Sequence, residues 1–480
     1  MTRRFRLFEA RPGSPRKPGI SWPSSATGNV GRSISCLLSG CMVALLLFAI
    51  VPGGGFSSGL CLFVILLDVA LVAGILFLNV VSREERVAEY YCYLYFLLFF
   101  LIPGYVHDST GKFPFYNILY ADEYVLLAAI AVFVFLLCFF AGYHFASRYM
   151  RKPLPRSRPQ SNVSVGYEIP LAYATVSIAA AMSFGIGNFL ATREQVELLM
   201  AEVTPAILMA STFPRILAFV AVLICVAALR ARLSWTGIVF LLPVSMVFAV
   251  LNSPLAIPRF VLFSYLITGL TAFFELSRLR KTALLLTFVI GQFTIFPAVS
   301  LLSRGDIRDL DSISLVDFFV SNGDYDGFQS TINVVRYAEE GGYRYGVNLL
   351  SAALFFVPRE YWPGKSRGTG GEAAAFNGYD FVNISSPLPS EFFVDFGMIG
   401  VAVGAALFGA ALAKVDDRIR TCRTMPDKVQ LFKPASIVGY LFIILRGSLV
   451  GVLGPIALTY SIVWFSTRLI EFRRRLIILK

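Results

Sequence analysis

The hydrophobic positions of this chain fall into long blocks that are separated by short polar stretches. Twelve of these blocks could each cross a membrane, because about 20 mainly apolar residues are needed to span the hydrocarbon layer as a helix. They begin near residues 34, 58, 89, 123, 168, 214, 234, 259, 282, 391, 433 and 453. The pattern predicts an all-α polytopic membrane protein with about 12 transmembrane helices.

One polar segment, residues 303–390, interrupts the alternation of apolar blocks. Within it, residues 314–320 and 327–340 have helical patterns, and the apolar run 347–357 is too short to cross a membrane. The segment is therefore predicted to be a large loop that contains short helices. The chain divides into a basic tail (1–33), nine helices (34–302), the large loop (303–390), three helices (391–470) and a second tail (471–480).

Composition excludes an ordinary soluble protein. Among the 480 residues, 56% are hydrophobic and 15% are charged, and the mean hydropathy is +0.70. Soluble domains carry about 25% charged residues. One membrane domain accounts for the length.

The net charge of +12 is explained by its distribution along the chain. With the amino terminus in the cytoplasm, about 30 of the 42 Lys and Arg residues fall in inner segments. This asymmetry matches the positive-inside rule. Both termini are then expected to be cytoplasmic and the large loop exterior (periplasmic), and nucleic acid is not an expected partner.

Most of the cations available outside the membrane lie in the large loop. Arginine suits phosphate groups there, because its planar guanidinium group can donate two parallel hydrogen bonds and stays charged. Tyrosines and a tryptophan flank the run 347–357 and predict that it docks onto the bilayer at headgroup depth. The candidate phosphate-binding residues are Arg336, Arg344, Arg359, Lys365, Arg367 and Arg446.

Arg446 differs from the others because it follows an apolar stretch, in an Arg-Gly-Ser turn between two membrane segments. A permanent charge is costly there unless an anion or a carboxylate pairs with it. The sequence leaves both interpretations open, a ligand contact and a structural ion pair.

Three residues are candidate catalytic bases. Glu391 and Asp395 are four residues apart, so they share one face near the outer start of the tenth helix. They could equally complement the helix dipole and pair with arginines. His107, expected in the exterior loop after the third helix, is either a rival base or a solvated loop histidine.

No metal site is expected. Asp324-Tyr-Asp326 has the form of a metal-binding D-x-D, but a solvated acidic turn is the preferred interpretation. His107 and His144 are expected on opposite membrane faces and cannot share a zinc ion. Asp68, in the middle of the second helix, is either functional, or simply protonated, or satisfied by a neighbouring helix.

Four short sequences occur in order along and just after the large loop, followed by the turn at Arg446. They are Tyr343-Arg-Tyr-Gly346, Val357-Pro-Arg-Glu-Tyr-Trp-Pro-Gly-Lys365, Asn383-Ile-Ser-Ser-Pro-Leu-Pro-Ser-Glu391 and Asp395-Phe-Gly-Met-Ile-Gly400. Together they resemble the bacterial oligosaccharide repeat-unit polymerases, the O-antigen (Wzy-type) polymerases.

The resemblance implies a multi-pass enzyme of the bacterial inner (cytoplasmic) membrane that polymerises undecaprenyl-pyrophosphate-linked oligosaccharides into O-antigen, capsule or exopolysaccharide. It implies a glycosyltransferase that needs neither a metal nor a cofactor, with exterior arginines around the pyrophosphate. A chain-length regulator and a flippase are candidate partners. The alternatives are a lipid-linked glycan ligase of the same class, a polysaccharide flippase or other transporter, and a non-catalytic partner that sets chain length.

Overall fold

The computed structural model describes residues 25–50, 59–116, 120–150, 166–190, 205–254, 256–294, 315–425 and 427–479, and its regular elements in these ranges are all helical. The first helices are α1 (Ser25–Ile50), α2 (Gly59–Val81), α3 (Val87–Tyr95), α4 (Ile102–Thr110), α5 (Asp122–Tyr149), α6 (Glu168–Ser183), α7 (Gly187–Leu190), α8 (Pro205–Ala231), α9 (Trp235–Leu251), α10 (Arg259–Phe273) and α11 (Arg278–Phe293). The remaining helices are α12 (Leu315–Ser321), α13 (Gly327–Gly341), α14 (Val347–Ala353), α15 (Thr369–Phe376), α16 (Leu388–Thr424), α17 (Phe432–Gly439), α18 (Leu441–Arg446) and α19 (Leu449–Leu479). Short 3₁₀ turns cover Gly323–Tyr325 and Lys428–Leu431.

The chain is a helical membrane protein with several passes. Seven described stretches are long and apolar enough to cross a membrane, namely Gly59–Val81, Val87–Thr110, Asp122–Tyr149, Met209–Ala231, Leu388–Thr424, Lys428–Arg446 and Leu449–Leu476. Four apolar helical stretches are shorter, namely Cys36–Ala49, Glu168–Ser183, Trp235–Leu251 and Arg259–Phe273. Helices lie at all of the predicted blocks. However, length and composition in the described residues do not support 12 complete crossings.

A buried helix runs through the centre of the molecule. It consists of α3, a π-helical turn at Phe96–Leu101, and α4, and most of its side chains are buried. A helix that is apolar on all sides belongs in the interior of a bundle. The π turn changes the backbone hydrogen-bond pattern, and the side chain of Gln292 on α11 donates to the carbonyl oxygen of Leu98 within it.

Helices α5 and α16 form the most extensive helix pair of the described chain. They approach closely at Gly142 on α5 and Gly409 on α16, where an added methyl group would overlap backbone atoms of the partner helix. Near its start, α16 is broken at Phe396 and Gly397, which have non-helical backbone angles. Gly397 has a φ of +60°, a conformation that favours glycine. The break separates the short segment 388–395 from the long remainder of α16.

Part of the predicted large loop can be compared with the structure. The helices predicted at 314–320 and 327–340 are confirmed as α12 and α13, and the run 347–357 contains only the short helix α14. The tail residues 1–24 and the first part of the loop, 303–314, lie outside the described residues.

Candidate functional site

Glu391 lies at a point where the amino-terminal ends of three helices meet. It is in the first turn of α16 and is 0% exposed. The hydroxyl groups of Thr369, Ser386 and Ser448 and the backbone N–H of Leu449 surround its carboxylate. Neither oxygen makes a hydrogen bond of ordinary geometry with any described residue. The positive ends of α15, α16 and α19 favour a negative charge at this point.

Asp395 is held by a neighbouring helix. Its two carboxylate oxygens accept the backbone N–H groups of Asn348 (3.2 Å) and Leu349 (2.8 Å) at the start of α14. The Asn348 side chain donates to the Thr369 hydroxyl at 2.8 Å, which links Asp395 to the surroundings of Glu391. We call this connected set the carboxylate junction. It comprises Asn348, Thr369, Ser386, Glu391, Asp395 and Ser448.

The sequence placed Glu391 and Asp395 together at the start of the tenth helix, and the structure places them together in the junction. Asp395 acts there as a helix cap, which is the structural role that the sequence left open. Glu391 is the carboxylate without an assigned hydrogen-bond partner in the described chain. It is therefore the better placed of the two to accept a proton.

Arg446, which is partly exposed, forms an ion pair with the buried Asp326, at 3.2 Å. The same guanidinium group donates to the carbonyl oxygen of Gly323 at 2.8 Å and lies over the ring of Phe260, 4.9 Å from its centroid. Of the two interpretations left open by the sequence, the geometry favours the structural ion pair.

Asp326 also corrects an expectation, because it is buried and is not part of a solvated acidic turn. It accepts hydrogen bonds from the backbone N–H of Ser385 (2.9 Å), from the Ser385 hydroxyl and from the Ser330 hydroxyl (3.1 Å). Asp324 is directed elsewhere, to Arg259 at 3.4 Å. The two carboxylates of the D-x-D sequence thus face different arginines. The described chain contains no group of three or more His, Cys, Asp or Glu residues placed to hold a metal ion.

Three of the predicted phosphate-binding arginines lie near the amino-terminal end of α15. We call Arg344, Arg359 and Arg367 the arginine group. The Glu372 carboxylate accepts the backbone N–H of Arg367 at 2.8 Å and lies 4.0 Å from the guanidinium Nε of Arg344. The Arg359 guanidinium donates to the carbonyl oxygen of Ser366 at 3.1 Å. Most of the N–H groups of these three side chains have no assigned partner in the described chain, so they are available to an anion.

The arginine group is physically connected to the carboxylate junction. The break in α16 leaves two carbonyl oxygens outside the helical pattern. The oxygen of Val394 accepts the backbone N–H of Arg344 at 2.8 Å, and that of Asp395 accepts the N–H of Tyr345 at 3.0 Å. On the other side, Arg367 is separated from Thr369 of the junction by one glycine.

Lys365 was predicted to bind phosphate, but the structure places it differently. It is 7% exposed, and its ammonium group donates to the carbonyl oxygens of Leu354 (3.0 Å), Phe355 (2.8 Å) and Val357 (2.7 Å). All three N–H bonds are therefore committed to the backbone just after α14. Burial and the neighbouring charge of Arg359 lower the pKa of the Lys365 ammonium. The side chain stabilises the loop and has no free donor for a ligand.

Arg336 lies apart from the arginine group, on α13. Its guanidinium group binds the carboxylate of Glu340, one turn later, at 2.8 Å, and approaches the side-chain oxygen of Asn377 at 3.4 Å. Asn377 follows the last residue of α15, whereas the arginine group lies near the first. The hydrogen bond from Arg336 lowers the pKa of the Glu340 carboxyl. Arg336 and Glu340 therefore form a half-buried ion pair at the protein surface.

Large apolar and aromatic side chains project from the loop beside these arginines. Tyr345 is 79% exposed and Tyr361 is 82% exposed, and Phe356 also faces outward. Exposed aromatic rings near cations are typical of protein surfaces at the headgroup level of a bilayer. Tyr343 and Trp362, the other predicted flanking residues, are half-buried.

His107 is not in a loop. It belongs to α4, is 0% exposed, and its Nε2 lies 3.0 Å from the carbonyl oxygen of Phe319. The ring therefore donates from Nε2, and its Nδ1 has no hydrogen-bond partner in the described chain. The expectation of a solvated loop histidine was wrong, because the third apolar block continues as helix through Pro103 and Gly104 to Thr110. The structure does not bring His107 into the carboxylate junction.

Asp68, the mid-helix carboxylate of α2, is buried against the central helix beside Phe100 and Gly104. Neither of its oxygens has a hydrogen-bond partner in the described part of the chain. Among the described residues, those that line the space around Asp68 are apolar, so they do not supply the polar partner that an adjacent helix could have provided.

Sequence reasoning missed the polar residues that assemble the site. Asp326 carried no signal of burial, because it lies between Tyr325 and Gly327 in a polar stretch, and Asn348 was not singled out although it lies within the apolar run 347–357. Gln329 and Asn333 on α13 are fully buried and bind the tyrosines Tyr120 and Tyr379. One available signal was the dense run of Gln, Ser, Thr and Asn within a helix of moderate hydrophobicity, which indicates a polar interface with other loop segments.

Comparison with known proteins gives no family assignment: no protein-family model, curated protein sequence or solved structure matches the chain.

Proposed function

We propose that this protein is a glycosyltransferase that polymerises lipid-linked oligosaccharide repeat units. The observation that carries the proposal is the connection between the arginine group and the junction that contains the buried Glu391, since the backbone N–H groups of Arg344 and Tyr345 donate to the carbonyl oxygens of Val394 and Asp395. A transfer from a pyrophosphate-linked donor needs cations for the leaving group and a base for the attacking hydroxyl. Both kinds of group occur in one connected structure.

The proposed reaction needs no nucleotide sugar, because the lipid-linked chain is itself the donor. A hydroxyl oxygen on the terminal sugar of one lipid-linked unit attacks the anomeric carbon of the growing chain. The new glycosidic C–O bond forms as the bond from that carbon to pyrophosphate breaks, and undecaprenyl pyrophosphate leaves with the electron pair. The arginine group neutralises the charge that develops on the pyrophosphate.

Glu391 accepts the proton of the attacking hydroxyl in this proposal. Because the carboxylate is fully buried, the proton needs a path to it, and the hydroxyls of Thr369, Ser386 and Ser448 line its surroundings. General bases act at hydrogen-bond distance or through one intervening group. Asp395 and His107 are weaker candidates, since Asp395 caps α14 and His107 lies beside α12.

The enzyme lies in the bacterial inner membrane with 12 crossings, cytoplasmic termini and residues 303–390 on the periplasmic side. The exposed aromatic side chains of the loop support contact with the outer leaflet, where a lipid carrier would present its pyrophosphate. A chain-length regulator and a flippase would act with it.

A ligase of the same class would use the same cations with another acceptor. A transporter is less well supported, because it would be expected to place several ionisable groups along its helix interiors near the membrane centre. Here Asp68 is the main such group predicted from the sequence.

The decisive experiment uses purified protein and a lipid-linked repeat unit as sole substrate. A ladder of lengthened glycans with release of undecaprenyl pyrophosphate is expected. The Arg344→Lys and Arg367→Lys variants should lower the rate by about tenfold or more, because lysine keeps the charge but loses the paired donors. Arg336→Lys is the matched control and should retain activity. If the wild type makes no ladder from this substrate alone but transfers one glycan when a second acceptor is added, the protein is a ligase.

A further inference from the structure

A group of aromatic rings lies at the surface between the segment that follows α4 and the segment that follows α15. The Tyr116 ring stacks against the Phe381 ring at a centroid distance of 6.0 Å and lies 5.2 Å from the Tyr379 ring, nearly perpendicular to it. Tyr116 is nevertheless 49% exposed. We call Tyr116, Tyr379, Phe381 and the neighbouring Asp380 the aromatic platform.

The backbone at Tyr116 has an unusual conformation that a buried side chain holds in place. Its φ is +43°, in the left-handed region that large side chains rarely adopt. The side-chain oxygen of the buried Gln329, on α13, accepts the N–H of Phe115 at 2.9 Å. The amide group of Gln329 donates to the carbonyl oxygens of Phe115 and Tyr116. Strained residues held by their surroundings cluster at functional sites.

The base of the platform is attached to the same helix. The Tyr379 side chain is almost fully buried, and its hydroxyl accepts a hydrogen bond from the side-chain amide of Asn333 on α13 at 2.9 Å. Tyr116 therefore rests on rings that α13 keeps in position. The exposed part of its ring is presented to the surroundings in one orientation.

Asp380 lies beside the hydroxyl group of Tyr116. Its Oδ1 accepts a hydrogen bond from that hydroxyl, whereas its Oδ2 has no hydrogen-bond partner in the described chain. The side chain is exposed and forms no ion pair with any lysine or arginine that the structure describes. An uncompensated carboxylate repels phosphate groups, so the platform is poorly suited to an anionic lipid headgroup.

An exposed ring with a carboxylate oxygen at its edge suits a sugar. The ring offers an apolar surface to the C–H groups of a sugar, and the free oxygen can accept a hydrogen bond from a sugar hydroxyl. The exposed rings beside the arginine group differ in this respect, because they lie among cations.

The platform and the arginine group lie at opposite ends of one short helix. The arginine group is near the first residue of α15, and the platform residues Tyr379, Asp380 and Phe381 follow its last residue. A helix of this length, Thr369–Phe376, is about 12 Å long at 1.5 Å per residue. An oligosaccharide of a few sugar rings that is attached to a pyrophosphate at the arginine group is long enough to reach the platform.

We propose that the aromatic platform binds sugar residues of the glycan substrate, with Tyr116 as the stacking surface and Asp380 as the acceptor of a sugar hydroxyl. The identity of this glycan rests on the proposed function. The platform contributes affinity and takes no part in bond formation, since the length of α15 separates it from the carboxylate junction at Thr369.

The test measures binding of the phosphate-free repeat-unit oligosaccharide, released from its lipid carrier, to the purified full-length protein by isothermal titration calorimetry. Tyr116→Leu keeps an apolar side chain but removes the ring, and it should raise the dissociation constant about tenfold, as expected for a strong aromatic contact. Tyr116→Phe keeps the ring and should bind within about twofold of the wild type. Asp380→Asn should raise the dissociation constant about fivefold, because an amide oxygen is a weaker acceptor than a carboxylate.

Tyr149→Leu is the matched control. It removes a tyrosine that is 70% exposed at the last residue of α5, whereas the platform lies near the first turn of that helix. This variant should bind like the wild type. Wild-type binding by both Tyr116→Leu and Asp380→Asn, or equal weakening by Tyr149→Leu, would overturn the proposal. If Tyr116→Leu weakens binding only to phosphatidylglycerol vesicles, the platform is a membrane contact and the proposal is wrong.

The ladder assay separates this proposal from the proposed function. Tyr116→Leu should raise the KM for the lipid-linked unit about tenfold and leave kcat unchanged, because the platform contacts are the same in the ground state and the transition state. A ladder formed with an unaltered KM would reject the platform and leave the polymerase standing. A wild type that makes no ladder but binds the oligosaccharide through Tyr116 would reject the polymerase and support the platform as a glycan-binding site.

Discussion

Lys365 lies in the predicted phosphate-binding loop, but its side chain stabilises the fold. Its ammonium group holds three carbonyl oxygens that follow α14. Lys365→Met keeps the length of the side chain but leaves these acceptors without their donor. We expect the unfolding free energy to fall by about 2–3 kcal/mol, because an unsatisfied buried polar group costs about 1–3 kcal/mol.

Unfolding of the purified protein by denaturing detergent measures this change. Arg367→Met is the control, because the Arg367 side chain is exposed and has no assigned partner in the described chain, so stability should change by less than about 0.5 kcal/mol. Equal stability of the two variants would mean that Lys365 does not support the loop.

The Arg446–Asp326 pair joins two loops that are far apart in the sequence. Arg446→Met should lower the unfolding free energy by about 3–5 kcal/mol, because Asp326 would be left as an uncompensated buried charge. Adding Asp326→Asn should recover part of the loss, and a double-mutant cycle measures the coupling. If Arg446→Met is fully stable but inactive, the side chain contacts a ligand instead.

Isosteric substitutions can distinguish the proposed catalytic role of Glu391 from the structural role of Asp395. Glu391→Gln removes a carboxylate that has no assigned partner, so catalysis should fall by about 100-fold or more without loss of stability. Asp395→Asn weakens the cap on α14 and should lower the unfolding free energy by about 1 kcal/mol. Measurements of the reaction rate and of the unfolding free energy for each variant test both predictions. Full activity of Glu391→Gln would exclude it as the base.

At the scale of helices, the packing of α5 against α16 depends on small residues. A methyl group at Gly142 would overlap the carbonyl oxygen of Ala406, and helices in membranes associate closely through such positions. We expect Gly142→Ala to lower the unfolding free energy by about 1–3 kcal/mol.

Gly269 on α10 provides the matched control, because an added methyl group there would meet no neighbouring atom within 4 Å. Gly269→Ala should be neutral or raise the unfolding free energy by up to about 1 kcal/mol, since alanine has the higher helix propensity. The same unfolding measurement decides between the two outcomes. A neutral Gly142→Ala would show that α5 and α16 can separate without cost.

The starts of the helices were largely predictable from the sequence. Where a helix continues or breaks was not. Apolar periodicity located the helices from α2 onward to within a few residues at most starts. It did not reveal that the third block continues to Thr110, or that α16 is broken at Gly397. Both features depend on neighbours: the central helix is surrounded by protein, and the carbonyl oxygens freed by the break accept N–H groups from residues 344 and 345.

Across the whole molecule, the described loops gather at two ends. Segments predicted to be inner meet through Glu85, which accepts from Leu276 and pairs with Arg423. Segments predicted to be outer meet through Arg446 with Asp326 and through Tyr120 with Asn333. This grouping agrees with the alternation of the charges along the chain. Which end faces the cytoplasm stays a prediction.

Cysteine labelling in intact cells measures the orientation. Tyr361→Cys at the outer end should react with a membrane-impermeant maleimide, whereas Arg278→Cys at the other end should react only after permeabilisation. The unsubstituted chain, which contains seven cysteines, gives the background. The opposite labelling pattern would invert the topology and remove the arginine group from the periplasm.

The sequence by itself determined the class of protein, the approximate positions of the helices and the two groups of loops. These properties follow from local hydrophobicity and charge, which act over about 20 residues at a time. Only the tertiary structure decided which charged side chains remain available to a ligand. Arg446, Lys365 and Asp395 are committed to partners, whereas most N–H groups of the arginine group have none in the described chain and Glu391 has only neutral hydroxyl and N–H groups around it. The physical reason is that a buried charge is satisfied by whichever group folding brings to it, and that group can be more than a hundred residues away in the chain.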